Sequence, residues 1–543
     1  KMDRIKLSVL QKIKYCSIII TVPILFYLPA IFLFPGFIED DFAIFNIIKE
    51  NLNYPIAFDL HTPFQLFFRP VTYFSFWVDY TIFKENFILI KLHSLLLLIS
   101  NVLLLHFLVK KISIMFDFKF ESKIFALLIT IYIVHIENII NVLWISNRNE
   151  LLSLLFYSIS FMYVIKFIEL KKGKYIVGYN IFYLLSIMAK QQGLHLPILV
   201  IFLLFYYKRT LNNNFSLTKV HKFLLLISLL IMFSGFYINS VMNTNDTIRE
   251  IFLSNLWKKP LAMIGVVVNI ILPYGGQTVY GFFILHKWLA FLTVFPLLLF
   301  GVVLILNKKI KIKDVIFFLA FFVIIFIPRI SVAGSIRLNS IILFWIIIFA
   351  YFMISNRDIP YKNSIMILIT VLFVISGIYK IATAYEINSN NSKKLIYLDK
   401  IIVKNNDSKF IIFVNTFDIK HSYYFFKNNS FGFDKRIISS PIFYPDIIFY
   451  SENYNPKQKI MHVSVNDDIL KVKCIVDYLY YEPVESKYFD VVDKVASPSG
   501  RGYSEIKFKL TQKFLEEKPL IIYYDGINWQ DVKSSLFTPN SKK

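Results

Sequence analysis

"LAMIGVVVNIILP", residues 261–273, is apolar enough to cross a bilayer, and whether it does so fixes the side of the membrane on which every later loop emerges. Around it, apolar runs approach or exceed the roughly 18–20 residues that span hydrocarbon. They lie at 16–37, 88–109, 123–143, 150–168, 175–189, 194–207, 223–242, 285–306, 314–328, 338–355 and 363–384. Taking these as about eleven spans puts every basic cluster on one face: Lys1 to Lys14, Lys110 to Lys123, Lys171 to Lys174, Lys208 to Lys222, Lys308 to Lys313, and Arg357 with Lys362. Cytoplasmic loops carry that excess of Lys and Arg. A twelfth span at 261–273 would invert the later loops and put "NKKIKIK" outside. The stretch therefore reads as an interfacial or re-entrant helix on the outer side, leading into the turn "PYGG" at 273–276. The expected fold is a polytopic α-helical membrane protein of about eleven transmembrane helices.

Composition agrees with this class. Hydrophobic residues make up 56% of the 543 and charged residues only 17%, outside the range of an ordinary soluble chain. The net charge of +23 could suit nucleic acid, but the basic residues sit in short clusters between apolar runs, so no nucleic-acid partner is expected. Cys16 and Cys474 fall on opposite sides of this topology, which excludes a disulfide between them. The first apolar run follows a basic segment and is too long for a removed leader, so it is expected to stay as an anchor. From about residue 385 the chain turns polar. Runs such as "KFIIFVN" (409–415), "KIMHVSVN" (459–466), "EIKFKL" (505–510) and "LIIYYDG" (520–526) read as strands between Asn, Asp, Pro and Gly turns. The organisation expected is a membrane domain over 1–384 and a soluble mixed α/β domain over 385–543 on the outer face.

Five stretches carry ionisable residues in or beside the outer loops. Glu39, Asp40 and Asp41 follow the first span in "FPGFIEDDFAIF" (34–45). Arg69 and Asp79 lie in "HTPFQLFFRPVTYFSFWVDYTIF" (61–83), an aromatic segment expected to lie along the interface, with Asp79 pairing with a nearby base. His135, Glu137, Arg148 and Glu150 occupy "HIENIINVLWISNRNELL" (135–152), read as a short outer loop, and Lys190 and His195 occupy "MAKQQGLHLP" (188–197). Arg329 and Arg337 lie in "PRISVAGSIRLNS" (328–340). Each has a plain structural reading. Charges mark span ends, Arg69 can be an interface anchor, and Glu150 suits a helix N-terminus. His135 and His195 lack a second ligand at metal spacing and read as hydrogen-bonders. Taken together, the groups deliver carboxylates and guanidiniums from separate loops to one side of the bilayer, so the residues leave capping and chemistry both open.

In their order these motifs resemble the GT-C glycosyltransferase superfamily. They are most similar to the branch of the tetratricopeptide-bearing transmembrane O-mannosyltransferases and their bacterial relatives, near the protein O-mannosyltransferase and aminoarabinose transferase group. An acidic pair in the first outer loop is matched by Asp40-Asp41, a Tyr-Arg-Pro-Leu motif by Phe68-Arg69-Pro70-Val71, Trp-x-Ser-x-Arg by Trp144, Ser146 and Arg148, and a Ser-Lys-Glu-Gln stretch by Ala189 to Gln192. The likeness covers about 30–340 and does not reach the tail. It departs where the family glutamate of the His loop would fall on Ile140, with Glu137 one helical turn earlier, and where Gln191 and Gln192 stand at a position that is often acidic.

The resemblance implies an inverting glycosyl transfer from a polyprenyl-phosphate-linked sugar to a hydroxyl of an acceptor protein, lipid or polysaccharide, on the outer face of the plasma membrane. Asp40 or Asp41 would be the general base. Its neighbour would orient the base or hold a divalent cation, since adjacent carboxylates resist joint ionisation. Arg69, Arg148 and Arg337 would bind the donor phosphate, with Glu39, His135, Glu137 and Lys190 in support. A transporter or flippase of lipid-linked sugars, or an oligosaccharide-transferring enzyme on the same scaffold, is the rival reading.

Overall fold

The computed structural model describes the helical residues 19–33, 69–84, 86–115, 120–210, 216–242, 340–355, 362–379 and 381–382. It also describes strand residues between 410 and 532 and isolated positions such as 48 and 324. These residues form two compact units, one of helices and one of strands. The stretch 261–273, the span read at 285–306 and all of the span read at 314–328 except position 324 lie outside the described residues.

The helical elements are α1 (Ile19–Leu33), α2 (Pro70–Phe83), α3 (Phe87–Met115), α4 (Ser122–Val134), α5 (Ile136–Leu143) and α6 (Arg148–Leu170). They continue with α7 (Gly173–Ala189), α8 (Leu196–Thr210), α9 (Lys219–Met242), α10 (Ser340–Ser355) and α11 (Lys362–Tyr379). Among the described residues three helices are long and apolar enough to cross a membrane: α3, α6 with the turn before it, and α11. A fourth counts if α4 and α5, bent by 51° at His135, are one broken span. The run read as a single span at 123–143 is therefore two helices, and part of the loop read at 135–149 is itself helical.

The bundle is oily outside and sets polar side chains within its apolar core. Leu25, Phe205, Leu230 and Leu368 are exposed, while Ser94, Asn101, Ser153, Ser160 and Ser186 are fully buried. A helix surface in hydrocarbon has no reason to be polar, and polar side chains inside must bond across helices. Asn101 Nδ2 donates to the Leu151 carbonyl at 2.9 Å, tying α3 to α6. Ser160 Oγ donates to Tyr179 O at 2.9 Å, tying α6 to α7, and Asn180 Nδ2 to Leu224 O at 2.9 Å ties α7 to α9. Helices α6 and α7 form a close antiparallel pair turned at Lys171, whose φ of 53° is left-handed. Gly178 lets them approach, since a Cβ there would run into the Tyr163 ring.

Among the described residues the strand unit holds three sheets. The largest antiparallel one runs β4 (Met461–Asn466), β5 (Ile469–Cys474), β8 (Tyr503–Leu510), β7 (Phe489–Ala496). Leu470, Val472, Ile506, Phe508 and Leu510 are buried on one face and alternate with the more exposed Lys471, Lys507 and Lys509, the period of two of a half-covered sheet. In the other four-stranded sheet β1 (Phe410–Phe413) is parallel to β2 (Ile437–Ile438) and β9 (Leu520–Tyr524), and β10 (Trp529–Val532) is antiparallel to β9. The short β3 (Ile442–Phe443) pairs with β6 (Tyr480–Tyr481).

Candidate functional site

The break between α4 and α5 is built from side chains. His135, extended at φ −63° and ψ 140°, ends one helix and caps the next by accepting from the Glu137 N–H at 3.3 Å. The turn leaves the last carbonyls of α4 without helical partners. Asn138 Nδ2 donates to Tyr132 O, and the Tyr27 hydroxyl from α1 donates to Ile133 O, both at 2.6 Å. An interrupted helix inside an apolar bundle requires such replacements. The same turn places Glu137, 4% exposed, in the first turn of α5, where the helix dipole favours an acid. Glu137 and Ile140 lie on the same short helix, three positions apart.

Two charged clusters lie just beyond this break. In the first, Arg148 opens α6 and is fully enclosed. Its Nε donates to Ser94 Oγ at 3.0 Å, its Nη2 to the Ile90 carbonyl at 2.7 Å, and its Nη1 to Ser75 Oγ at 3.4 Å and to Asp79 Oδ2. The guanidinium also lies 5.3 Å from the centre of the Phe76 ring. Asp79, 1% exposed, uses its other oxygen to accept from His93 Nδ1 at 2.6 Å. The forked guanidinium thus joins α2, α3 and α6, Ser75 and Asp79 sharing Nη1 while Ser94 and Ile90 take Nε and Nη2.

In the second cluster, Glu150 Oε1 accepts from Lys190 Nζ and from Gln192 Nε2 at 2.7 Å, and its Oε2 faces the Ser340 backbone N–H at 3.4 Å. Ser340 Oγ also accepts from Asn141 Nδ2 at 2.8 Å, so α5, α6 and the start of α10 meet at one carboxylate. The 3-10 turn Gln191–His195 passes over α6 and α7 here. A Cβ on Gly193 would come within 2.9 Å of Ser186 Oγ. Below the turn Tyr157 is a hub, accepting from Trp345 Nε1 at 3.0 Å and bonding His195 Nε2 at 3.1 Å, while His195 Nδ1 reaches Gln192 O at 3.0 Å. The start of α2 comes to the same place: Thr72 Oγ1 donates to Ala189 O at 2.9 Å. That bond brings Arg69, the half-buried residue that precedes α2, to the chain beside Lys190.

The positions singled out in the sequence thus divide. Lys190 and Glu150 pair beside the start of α10, and Arg69 stands three residues before Thr72, which bonds the chain next to Lys190. His135 and Glu137 belong to the helix break. Arg148 meets Asp79 through a guanidinium that is already enclosed, so a phosphate would have to displace an internal carboxylate to reach it. Glu39, Asp40, Asp41 and Arg337 lie outside the described residues. Among the described residues no three His, Cys, Asp or Glu side chains converge on a point that could hold a metal ion. The residues missed by sequence reasoning are His93 and the serines Ser75 and Ser94. A signal existed: polar residues at 91, 93 and 94 interrupt an apolar run one turn from its start. Comparison with protein-family models gives no match, and comparison with characterised proteins gives none either.

Proposed function

We propose that the chain is a multi-pass membrane glycosyltransferase of GT-C type, using a polyprenyl-phosphate-linked sugar at the extracytoplasmic face of the plasma membrane and transferring the sugar to an acceptor hydroxyl with inversion. The observation that carries this reading is the meeting of Glu150, Lys190, the start of α2 and the start of α10 at one end of the bundle. Among the described residues, Lys111 near the end of α3 and Lys171 and Lys172 between α6 and α7 lie at the other end, with a sign that suits the cytoplasm. A lipid-borne sugar needs a polar site at helix ends, because its tail stays in hydrocarbon while its phosphate rests at the interface. The order of motifs from Asp40 to Gln192 supports the same assignment.

In this mechanism Asp40 or Asp41 takes the proton of the acceptor hydroxyl as its oxygen attacks the anomeric carbon, and the bond to phosphate breaks with its electron pair on the phosphate oxygen. The second aspartate orients the first or holds a divalent cation. Arg69 and Arg337 neutralise the leaving phosphate. Arg148 positions α2 and α3 through Asp79, and Glu150 holds Lys190 at the same end. The strand-bearing tail is assigned to the outer face as a docking or lid domain.

A second reading is favoured by one feature. Transporters place interrupted helices at their substrate sites, and the chain breaks a span at His135. Purified protein separates the two. With a polyprenyl-phosphate sugar and a hydroxyl acceptor, a transferase forms a glycosidic bond, and Asp40→Asn or Asp41→Asn slows it by roughly 10²–10⁴-fold. Surface glycans of cells carrying each expressed variant should shrink in parallel. Movement of lipid-linked sugar across vesicles without bond formation, and glycans unchanged in both variants, would replace the transferase with the transporter.

A further inference from the structure

The seam between α6 and α7, toward the rim opposite Glu150, carries a feature that no step of the transfer uses. Four rings form one strip along it. Phe156 stacks on Phe182 at 6.3 Å between ring centres, Phe182 on Tyr163 at 5.5 Å, and Tyr163 meets Tyr175 at 6.3 Å. The spacing is helical: 156, 163 and 166 fall on one face of α6, and 175, 178 and 182 on one face of α7. Gly178 seats the strip, because a Cβ there would lie 2.4 Å from Tyr163 Cε1 and push the ring off the pair. An ammonium closes the strip on each helix. Lys166 Nζ stands 5.7 Å from the centre of the Tyr163 ring, and Lys174 Nζ 5.3 Å from that of Tyr175. The four rings are half-buried and both lysines are exposed.

The positive charge beside the strip is uncompensated. Between residues 151 and 222 the single acid is Glu169, and it is turned to Lys111 at 3.0 Å. Among the described residues neither Lys166 nor Lys174 meets a carboxylate, and Lys172, in the turn that joins the two helices, is exposed beside them. Depth decides the occupant. From Lys166 to Phe156 the strip descends about 15 Å at 1.5 Å per residue, half of a hydrocarbon core of about 30 Å. A rim tyrosine or a snorkelling lysine needs no rings below it. An acyl chain lying on such rings runs from the interface toward the middle of the bilayer, and its headgroup phosphate arrives at the two ammonium groups. A soluble anion would use the lysines and leave Phe156 and Phe182 without a role.

We propose that the α6–α7 seam is a binding site for an anionic phospholipid, its phosphate held by Lys166 and Lys174 and an acyl chain laid along Tyr163, Phe182 and Phe156. The site is independent of the transferase reading and lies at the end of α6 remote from Glu150. Bound lipid ties together the two helices whose far ends carry Glu150 and Lys190. A ligand that binds only the folded chain stabilises it by mass action.

The test offers the purified full chain, in mild detergent, equal amounts of phosphatidylglycerol and phosphatidylcholine, and counts retained lipid by native mass spectrometry. Wild type should prefer phosphatidylglycerol about 25-fold, since each lysine near a headgroup is worth about fivefold. Lys166→Gln and Lys174→Gln should each lower that preference about fivefold and together abolish it. Tyr163→Leu keeps both charges and should lower retention of both lipids alike, leaving the preference intact. Lys208→Gln, an exposed lysine on α8 outside the strip, should change nothing. Added phosphatidylglycerol should raise the melting temperature of wild type but not of the double lysine variant, and the two should melt together without it. An equal loss in Lys208→Gln would reduce the effect to general attraction by a basic rim and overturn the site. A wild-type chain with no preference would overturn it too, as would a Tyr163→Leu chain that holds both lipids as tightly as wild type.

Discussion

The two ends of α6 solve the same problem, a charge at the end of an apolar helix, in opposite ways. At its start Arg148 is enclosed and bonded on every edge, and Glu150, two residues on, joins three further segments. At its finish, about 30 Å away at 1.5 Å per residue, Glu169 meets Lys111 at 3.0 Å with both side chains a third or more exposed. The neighbouring pair Lys362–Glu121, also 3.0 Å, keeps partial contact with the surface. One end spends desolvation energy to hold several helices in a fixed relation. The other leaves its charges near water, where they cost little and hold little. Fixed geometry at one end is what a site needs, and the opposite rim does without it.

That contrast predicts a steep gradient of mutational cost. Arg148→Met strands Asp79 as a buried charge and should cost about 3–5 kcal/mol of unfolding free energy, read as a large drop in melting temperature of the purified protein. The double variant with Asp79→Asn should recover part of the loss, since the uncompensated charge goes with it. If Arg148→Met melts like wild type, the enclosed pair is no clamp and the comparison fails. Glu150→Gln should fall between the ends. It leaves Lys190 without its carboxylate, yet Lys190 is 17% exposed and can draw on water, so about 1–3 kcal/mol is expected.

How much of this was legible beforehand follows from what sequence encodes. Apolar runs gave α3, α6, α7, α9, α10 and α11 to within a few residues, because hydrophobic length is a local property. The four polar runs named in the tail coincide with β1, β4, β8 and β9 for the same reason. The break at His135 was not legible as a break. Its signal is a histidine followed by Glu and Asn, ordinary for a loop, and what makes it a helix interruption is Tyr27, 106 positions away, bonding Ile133. Arg148 was found, but its partner was not. Asp79 was expected to pair with some base, and nothing local says that the base lies 69 residues downstream. Glu150 read as a helix cap because its N-terminal position explains an acid on its own terms. The same position also faces Lys190, which only the antiparallel return of α7 supplies.

The smallest effect belongs to the exposed end and tests the contrast from below. Lys111→Gln removes a pair whose Coulomb gain is screened by solvent and offset by the ordering of two long side chains. The expected loss is under about 1 kcal/mol at low salt and should vanish at about 1 M salt, where the screening length falls to roughly 3 Å. The Arg148 pair has no ions around it to screen it, so its cost should be the same at both salt concentrations. Measuring both variants at both salts gives four numbers, and the informative one is the change with salt at each site. A Lys111→Gln loss that is large and independent of salt would mean the lysine end is as rigidly held as the arginine end. The polar end would then lose its claim to be the one the fold was built to fix.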